Sequence, residues 1–221
     1  MSTTKAALAV MLLCLSLSGC ISAKSFVDPS VPKISYEDLK KRSEPLRLKL
    51  VVEFQRNGEP LKEGDSVLRD TTERVLRSTG LIISTDKDVV GDMKVVVNNV
   101  GNVGDAVAKG VGTGLTFGLV GSTVMDGYEM KVAITINGKT ASRTAIKHAL
   151  YTAIGNTTLP PGIEGVPPNV GFERVLEQML LRALHDMQDA GELTQLPFPK
   201  PLGLQSCNPE LIQARPEPQV A

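Results

Sequence analysis

The sequence has little of the chemistry that nucleic-acid-binding proteins use. It contains no tryptophan, five phenylalanines and three tyrosines, and its 24 basic side chains are balanced by 24 acidic ones. Base stacking needs exposed aromatic rings, and phosphate binding needs an excess of positive charge. We therefore expect no nucleic-acid partner and no polybasic surface for membrane binding.

Histidine and the motifs of common enzymes are also scarce. His185 and Asp189 are four residues apart and could share a metal ion, but two ligands do not complete a zinc site, so a solvated helix face is expected. His148 is near Ser142, yet no Gly-x-Ser-x-Gly elbow is present, and the glycines form no nucleotide-binding motif. We expect no enzymatic activity, no catalytic residue, no cofactor and no metal.

The first twenty residues have the most specific pattern of the chain. Lys5 precedes an uncharged apolar run over residues 6–17, which has the length of a signal-peptide core and is too short to span a bilayer as a mature helix. The run ends in Leu17-Ser18-Gly19-Cys20. This ending resembles the lipobox of bacterial lipoproteins. The resemblance implies a signal peptide over residues 1–19 and a diacylglycerol on the Cys20 thiol.

The same resemblance implies a location in the cell envelope. In Gram-negative lipoproteins an aspartate after the lipidated cysteine retains the protein in the inner membrane, and here that residue is Ile21, which implies the outer membrane and its periplasmic face. Each buried methylene contributes about 0.8 kcal/mol, so two or three acyl chains such as palmitate make attachment effectively permanent. Cys14 would leave with the signal peptide, and Cys207 would be a lone thiol without an internal disulfide.

Residues 20–45 contain three prolines and no sustained periodicity, which predicts a lipid-anchored tether. An ordered strap lying on the domain is an equally weighted alternative. Residues 192–221 contain six prolines and predict an extended tail. The body of the protein is therefore expected at residues 46–191.

Apolar periodicity gives the elements of this body. Asn137-Gly138 is the strongest hairpin signal and predicts a strand returning from Lys139. Residues 145–154 fit either a strand or a helix, and we favour a strand because a hairpin needs a return of similar length. Further strands are predicted at 46–55, 81–84, 93–100 and 128–137, helices at 66–79 and from Asn169 to Gly191, and a loop at 159–168.

This order predicts an α+β fold. We expect a two-layer sandwich with a mostly antiparallel sheet of about 4–5 strands and two helices on one face. Asp65 or Ser66 is the expected N-cap of the first helix, and Gly80 its C-terminal glycine. A body of this size can bury roughly 68–70% of its unfolded surface, enough for an independent core.

The least ordinary segment is a glycine-rich insertion at residues 101–127, which contains eight glycines and has no charge between residues 110 and 125. Its sixteen uncharged residues would rise only about 24 Å as a helix, short of a hydrocarbon core of roughly 30 Å. A loop, a membrane or partner contact, and a β-hairpin of a pore all remain open. The candidate contact residues are Val111, Leu115, Phe117, Leu119 and Val120.

The lipobox, the glycine-rich stretch at 110–121 and the strand that follows together resemble uncharacterised proteobacterial envelope lipoproteins with a small α/β domain. Auxiliary lipoproteins of transport and surface-polymer export systems are similar in layout. The resemblance implies a non-enzymatic binding, assembly or transport-accessory module with an envelope-protein partner, and it leaves the oligomeric state open. The alternative is an oligomeric pore or export component that uses residues 110–125, as in the curli secretion pore lipoprotein, although this chain has one uncharged stretch instead of two hairpins.

Overall fold

The computed structural model describes residues 23–100 and 122–195, and within them the chain has an α+β fold, as predicted. Short 3₁₀ turns lie at Tyr36–Asp38 and Lys62–Gly64. The strands are β1 (Ala23–Val27), β2 (Leu46–Arg56), β3 (Glu59–Pro60), β4 (Ile82–Ser84), β5 (Gly91–Val100), β6 (Ser122–Ile136) and β7 (Lys139–Ile154), and the helices are α1 (Asp65–Thr79), α2 (Pro168–Asp189) and α3 (Glu192–Gln195).

These seven strands form one mixed sheet in the order β1-β7-β6-β5-β2-β3, with β4 paired to the start of β2. The prediction of about 4–5 mostly antiparallel strands is wrong in number, and it missed that β2 is parallel to both β4 and β5. The parallel pairs arise because α1 connects β2 to β4, and a helical crossover returns the chain in the direction in which it left.

Helices α1 and α2 cover one face of this sheet and contact each other through Arg74, which lies 2.9 Å from Glu173. The alternation predicted for the strands places one set of side chains in the core and leaves Lys49, Asp92 and Lys94 exposed on the opposite face. The core members from the three central strands include Leu46, Leu48, Leu50, Met93, Val95, Val97, Met130, Val132 and Ile134.

The local signals mostly agree with the structure. Asn137 and Gly138 have φ of 50° and 75°, as the two left-handed residues of a tight hairpin require. Residues 145–154 are strand, as favoured, and Gly80 ends α1 with φ of 66°. The N-cap prediction for α1 is wrong: Asp65 lies inside the helix, and its carboxylate accepts a 2.7 Å hydrogen bond from the Phe54 N–H of β2.

The glycine-rich insertion is shorter than predicted. Strand β6 begins at Ser122 and not near Tyr128, because residues 122–127 pair with β7 in unbroken register from Ile154 to Ala149. Each of these six residues has a partner on β7, which the sequence pattern did not reveal. Only residues 101–121 of the insertion lie outside the described residues.

The tether predicted for residues 20–45 is not present over the residues that the structure describes. Residues 23–27 form β1, which is antiparallel to the last five residues of β7. Residues 28–45, here called the strap, then cross the outer surface of α2 to reach β2. The second alternative, an ordered strap, is therefore the observed one.

Two glutamines of α2 hold the strap by pairing with its backbone. The Gln178 amide accepts from the Ile34 N–H at 3.0 Å and donates to the Ile34 carbonyl at 3.1 Å. Gln188 makes the same pair of bonds with Lys40, at 2.9 and 2.7 Å. Since the sheet packs on the other side of α2, the helix lies between two layers of chain.

The tail is also more structured at its start than predicted. Residues 192–195 form the short helix α3, in which Leu193 is buried, and Glu192 lies 2.8 Å from the Arg143 guanidinium of β7. Gly191, the expected terminator of α2, has φ of 70° and follows the C-cap residue Ala190. Residues 196–221, including Cys207, lie outside the described residues.

Replacing Gln178 by alanine should loosen the strap. The change leaves the N–H and carbonyl of Ile34 without their amide partners, which should lower the free energy of unfolding by about 1–3 kcal/mol. Urea denaturation measures this loss, and hydrogen exchange at the Ile34 amide should become faster. Arg174→Ala, an exposed change on the same helix, is the control. Equal stability of the two variants would contradict a holding role for Gln178.

Candidate functional site

One end of the sheet brings together the segments that the sequence singles out. Ile154, the last residue of β7, pairs with Ala23 of β1 on one side and with Ser122 of β6 on the other. The two chain segments that precede Ala23 and Ser122 therefore enter the domain at the same level of the sheet. We call this region the distal end: residues 23–27, 122–126 and 150–154, with the loop 155–167.

The distal end projects beyond the rest of the sheet. Strand β5 stops at Val100, which pairs with Gly127, so the five residues 122–126 of β6 extend past their neighbour. At about 3.4 Å per residue the projection is roughly 17 Å long. It is a three-stranded ribbon made of β6, β7 and β1.

Side-chain and backbone contacts fix this ribbon to the domain. Ser25 and Val166 exchange backbone hydrogen bonds of 2.7 and 2.8 Å, which tie the loop to β1. The Ser25 hydroxyl lies 2.7 Å from that of Thr152. A methyl group at Gly171 would come within 2.9 Å of the Ser25 Cβ, so the first turn of α2 packs closely against the ribbon. These contacts join the distal end to the rest of the domain.

An aromatic pair lies on the face of the ribbon that the helices do not cover. The rings of Phe26 and Tyr151 stack with centroids 5.3 Å apart, and Phe26 is almost fully buried. Burial, with a smaller contribution from the Asp28 carboxylate, raises the pKa of Tyr151, so its hydroxyl stays neutral at physiological pH. The pair stiffens the junction between β1 and β7.

The two ends of the sheet differ in charge. Residues 149–163 and 122–125 contain no Asp, Glu, Lys, Arg or His, and Val124 is 46% exposed. The charged residues of the distal end are Lys24, Asp126 and Glu164. The opposite end has Lys139 at the hairpin and a loop with Asp86, Lys87 and Asp88 before β5, all exposed.

The site residues predicted from the sequence lie outside the described residues, but their chain neighbours lie within them. Cys20 precedes the first residue of β1 by three positions, and residues 101–121 join Val100 of β5 to Ser122 of β6. The candidate contact residues Val111, Leu115, Phe117, Leu119 and Val120 belong to this joining segment. The first described residues after these two segments, Ala23 and Ser122, both lie at the distal end.

The two histidines have different surroundings. His148 is buried beneath the strap, where its Nδ1 accepts a 2.9 Å hydrogen bond from the Ala149 N–H. Burial lowers the pKa of His148, since charging the ring would cost its hydration; the Asp28 carboxylate acts against this shift and the Arg182 guanidinium adds to it. The ring is therefore neutral at pH 7.

His185 lies on α2 with its side chain 26% exposed. Its Nδ1 is 3.3 Å from an Asp189 carboxylate oxygen and 3.7 Å from one of Asp186. In the part of the chain that the structure describes, no three His, Cys, Asp or Glu side chains converge in a way that could hold a metal ion. Among the same residues, no helix has both the length and the apolar character needed to cross a bilayer.

The buried neutral His148 should make stability depend on pH. The unfolded chain binds a proton at its ordinary pKa near 6.5, whereas the folded protein binds it only at lower pH, so stability is full above about 6.5 and falls below it, by up to about 1.4 kcal/mol per pH unit. Denaturation between pH 7 and pH 5 should show a weaker pH dependence for His148→Gln than for the His185→Gln control. An identical dependence in both variants would contradict this assignment.

The sequence was compared with protein families and with curated proteins. A scan against models of protein families gave no match, and a search of curated proteins gave none at a significant level.

Proposed function

We propose that the protein is a lipid-anchored lipoprotein of the Gram-negative outer membrane, in which a folded domain on the periplasmic face acts as a non-enzymatic binding, assembly or transport-accessory module. The observation that supports this most directly is the position of β1. A strand that is built into the sheet edge begins three residues after a lipobox cysteine.

This spacing connects the anchor to the fold. Three peptide steps span at most about 11 Å. Strand β1 is held by five residue pairs with β7 and by the backbone bonds between Ser25 and Val166. Acyl chains on Cys20 would therefore confine the domain to the membrane surface, where it meets neighbouring envelope proteins.

Replacing Cys20 by serine should abolish acylation. In the native chain, mass spectrometry of the N-terminal peptide should find Cys20 as the first residue with fatty acids attached, and the protein should sediment with outer membranes. The serine variant should lack both properties. The Cys207→Ser variant is the matched control and should keep both. A native chain that begins at another residue, or whose first residue lacks fatty acid, would contradict the proposal.

The proposed partner contact is the segment 101–121. It connects Val100 of β5 to Ser122 of β6, and Ser122 lies at the distal end. Its apolar residues occur among glycines and threonines without a charge between 110 and 121, which suits contact with a protein or lipid surface. Because residues 122–124 belong to β6, a deletion that tests this role must end before Ser122.

A photoreactive amino acid at Phe117 should cross-link the protein to an envelope protein in living cells, since Phe117 is the largest apolar side chain of the segment. The same amino acid at Asp88, exposed at the opposite end of the sheet, is the control and should give no such product. Mass spectrometry identifies the captured protein. Absence of any specific product at Phe117, Leu115 and Leu119 would contradict a partner contact here.

A pore or export component is the second candidate, and one observation favours it. Strands β5 and β6 are antiparallel neighbours, so residues 101–121 form the connection of a hairpin. A bilayer-spanning strand needs about 9–11 residues, and this connection has 21. In the cross-linking experiment a pore would give products between copies of this chain, together with large heat-resistant oligomers in detergent. A monomer in detergent would count against it.

A further inference from the structure

We propose that the distal end of the sheet lies directly on the lipid bilayer, so that the strands stand upright and the charged hairpin end points away from the membrane. This inference rests on the lipid anchor proposed above and adds the orientation of the domain and the surface that contacts phospholipid. The surface consists of the tip of β6 around Val124, the end of β7 and the loop 155–163.

The first argument is the length of chain available. Ala23 can be no more than about 11 Å from the Cys20 Cα. Neighbouring strands are about 4.8 Å apart, so Ser122, two strands away from Ala23, is laterally only about 10 Å further. A lipid attached to Cys20 would therefore keep the tips of β1, β7 and β6 close to the membrane.

The second argument is the distribution of charge. The side chains that would face phospholipid come from two uncharged runs, residues 122–125 and 149–163, and Val124 presents an exposed apolar side chain there. An apolar side chain gains free energy when it leaves water, and desolvating a charge would cost it. Lys24, also at this end, can meet the phosphates of anionic headgroups. The two acidic residues of the distal end, Asp126 and Glu164, border these runs without interrupting them, and Asp86 and Asp88 lie at the far end, where they remain in water.

The length of the sheet makes the two orientations easy to distinguish. Val124 and Ile136 are twelve residues apart on β6, which corresponds to roughly 40 Å along the strand. Ile136 is level with Gly91 and Leu48, beside β4. Ile83 of β4 is 43% exposed, close to the 46% of Val124, and so provides an apolar control position at the other end of the domain.

The experiment uses the full acylated chain with Cys207→Ser, in which a new cysteine is the only free thiol of the mature protein. Val124→Cys and Ile83→Cys are each labelled with an environment-sensitive nitrobenzoxadiazole dye. The proteins are reconstituted into vesicles of phosphatidylethanolamine and phosphatidylglycerol that contain spin-labelled phospholipid. The label at position 124 should shift its emission to the blue and lose most of its fluorescence, and the label at position 83 should do neither. Pro161→Cys, in the exposed loop, should behave like position 124 and provides a second probe if Val124→Cys folds poorly.

Quenching that is equal at positions 124 and 83, or that is absent at both 124 and 161, would overturn the orientation. Flotation of the vesicles and the mass of the N-terminal peptide are read on the same samples. An acylated chain that floats without quenching at 124 and 161 disproves only the bilayer contact. A chain that has no acyl group and does not float disproves the anchor and the orientation together.

Discussion

The burial of α2 on two sides is the constraint on which the rest of the structure depends. The buried residues of α2, which include Gly171, Leu176 and Leu181, are spread at about 100° per residue over about 280° of the helix circumference, more than one sheet can cover. A helix with this pattern needs cover from a second layer. The strap supplies that layer: Leu39 adds a buried side chain, while Gln178 and Gln188 satisfy backbone groups that a crossing segment would otherwise leave without partners.

The path of the strap over α2 also determines where β1 can lie in the sheet. The strap reaches β2 from the far edge of the sheet, because β1 and β2 are separated by β7, β6 and β5. The first strand therefore has to occupy the edge next to β7, and the segment before it has to leave at the end where β7 finishes. A requirement of the hydrophobic core thus places the N-terminal segment beside the start of β6.

What the sequence predicted well was local. The alternation in β2, β5 and β6 and the pair Asn137-Gly138 depend on neighbouring residues, and the structure confirms them. Strand β1 was missed because it has five residues, of which Lys24 and Ser25 are polar, and because its partner lies more than a hundred residues away. Asp65 shows the same limit: a good capping residue instead accepts a hydrogen bond from a distant strand. For the candidate site, a local motif predicts lipidation at Cys20. Only the register of β7 with both its neighbours showed that Ala23 and Ser122, the first described residues after the two unusual segments, lie at one end.

The contrast between the two ends of the sheet follows from this arrangement and gives it a functional meaning. In a soluble domain, the exposed ends of strands and the loops that join them are normally rich in charged and turn-forming residues at both ends of a sheet. Here the loop 85–90 and the hairpin at Lys139 contain both kinds of residue, whereas residues 149–163 contain turn-forming residues but no charged one. Absence of charge at an exposed surface costs solubility unless something else covers it. A bilayer beside an acylated cysteine would cover that end, and the stiffness of a ribbon held by Ser25, Val166 and the Phe26–Tyr151 stack would keep the remaining surface of the domain, with its charged side chains, turned toward water and toward other proteins.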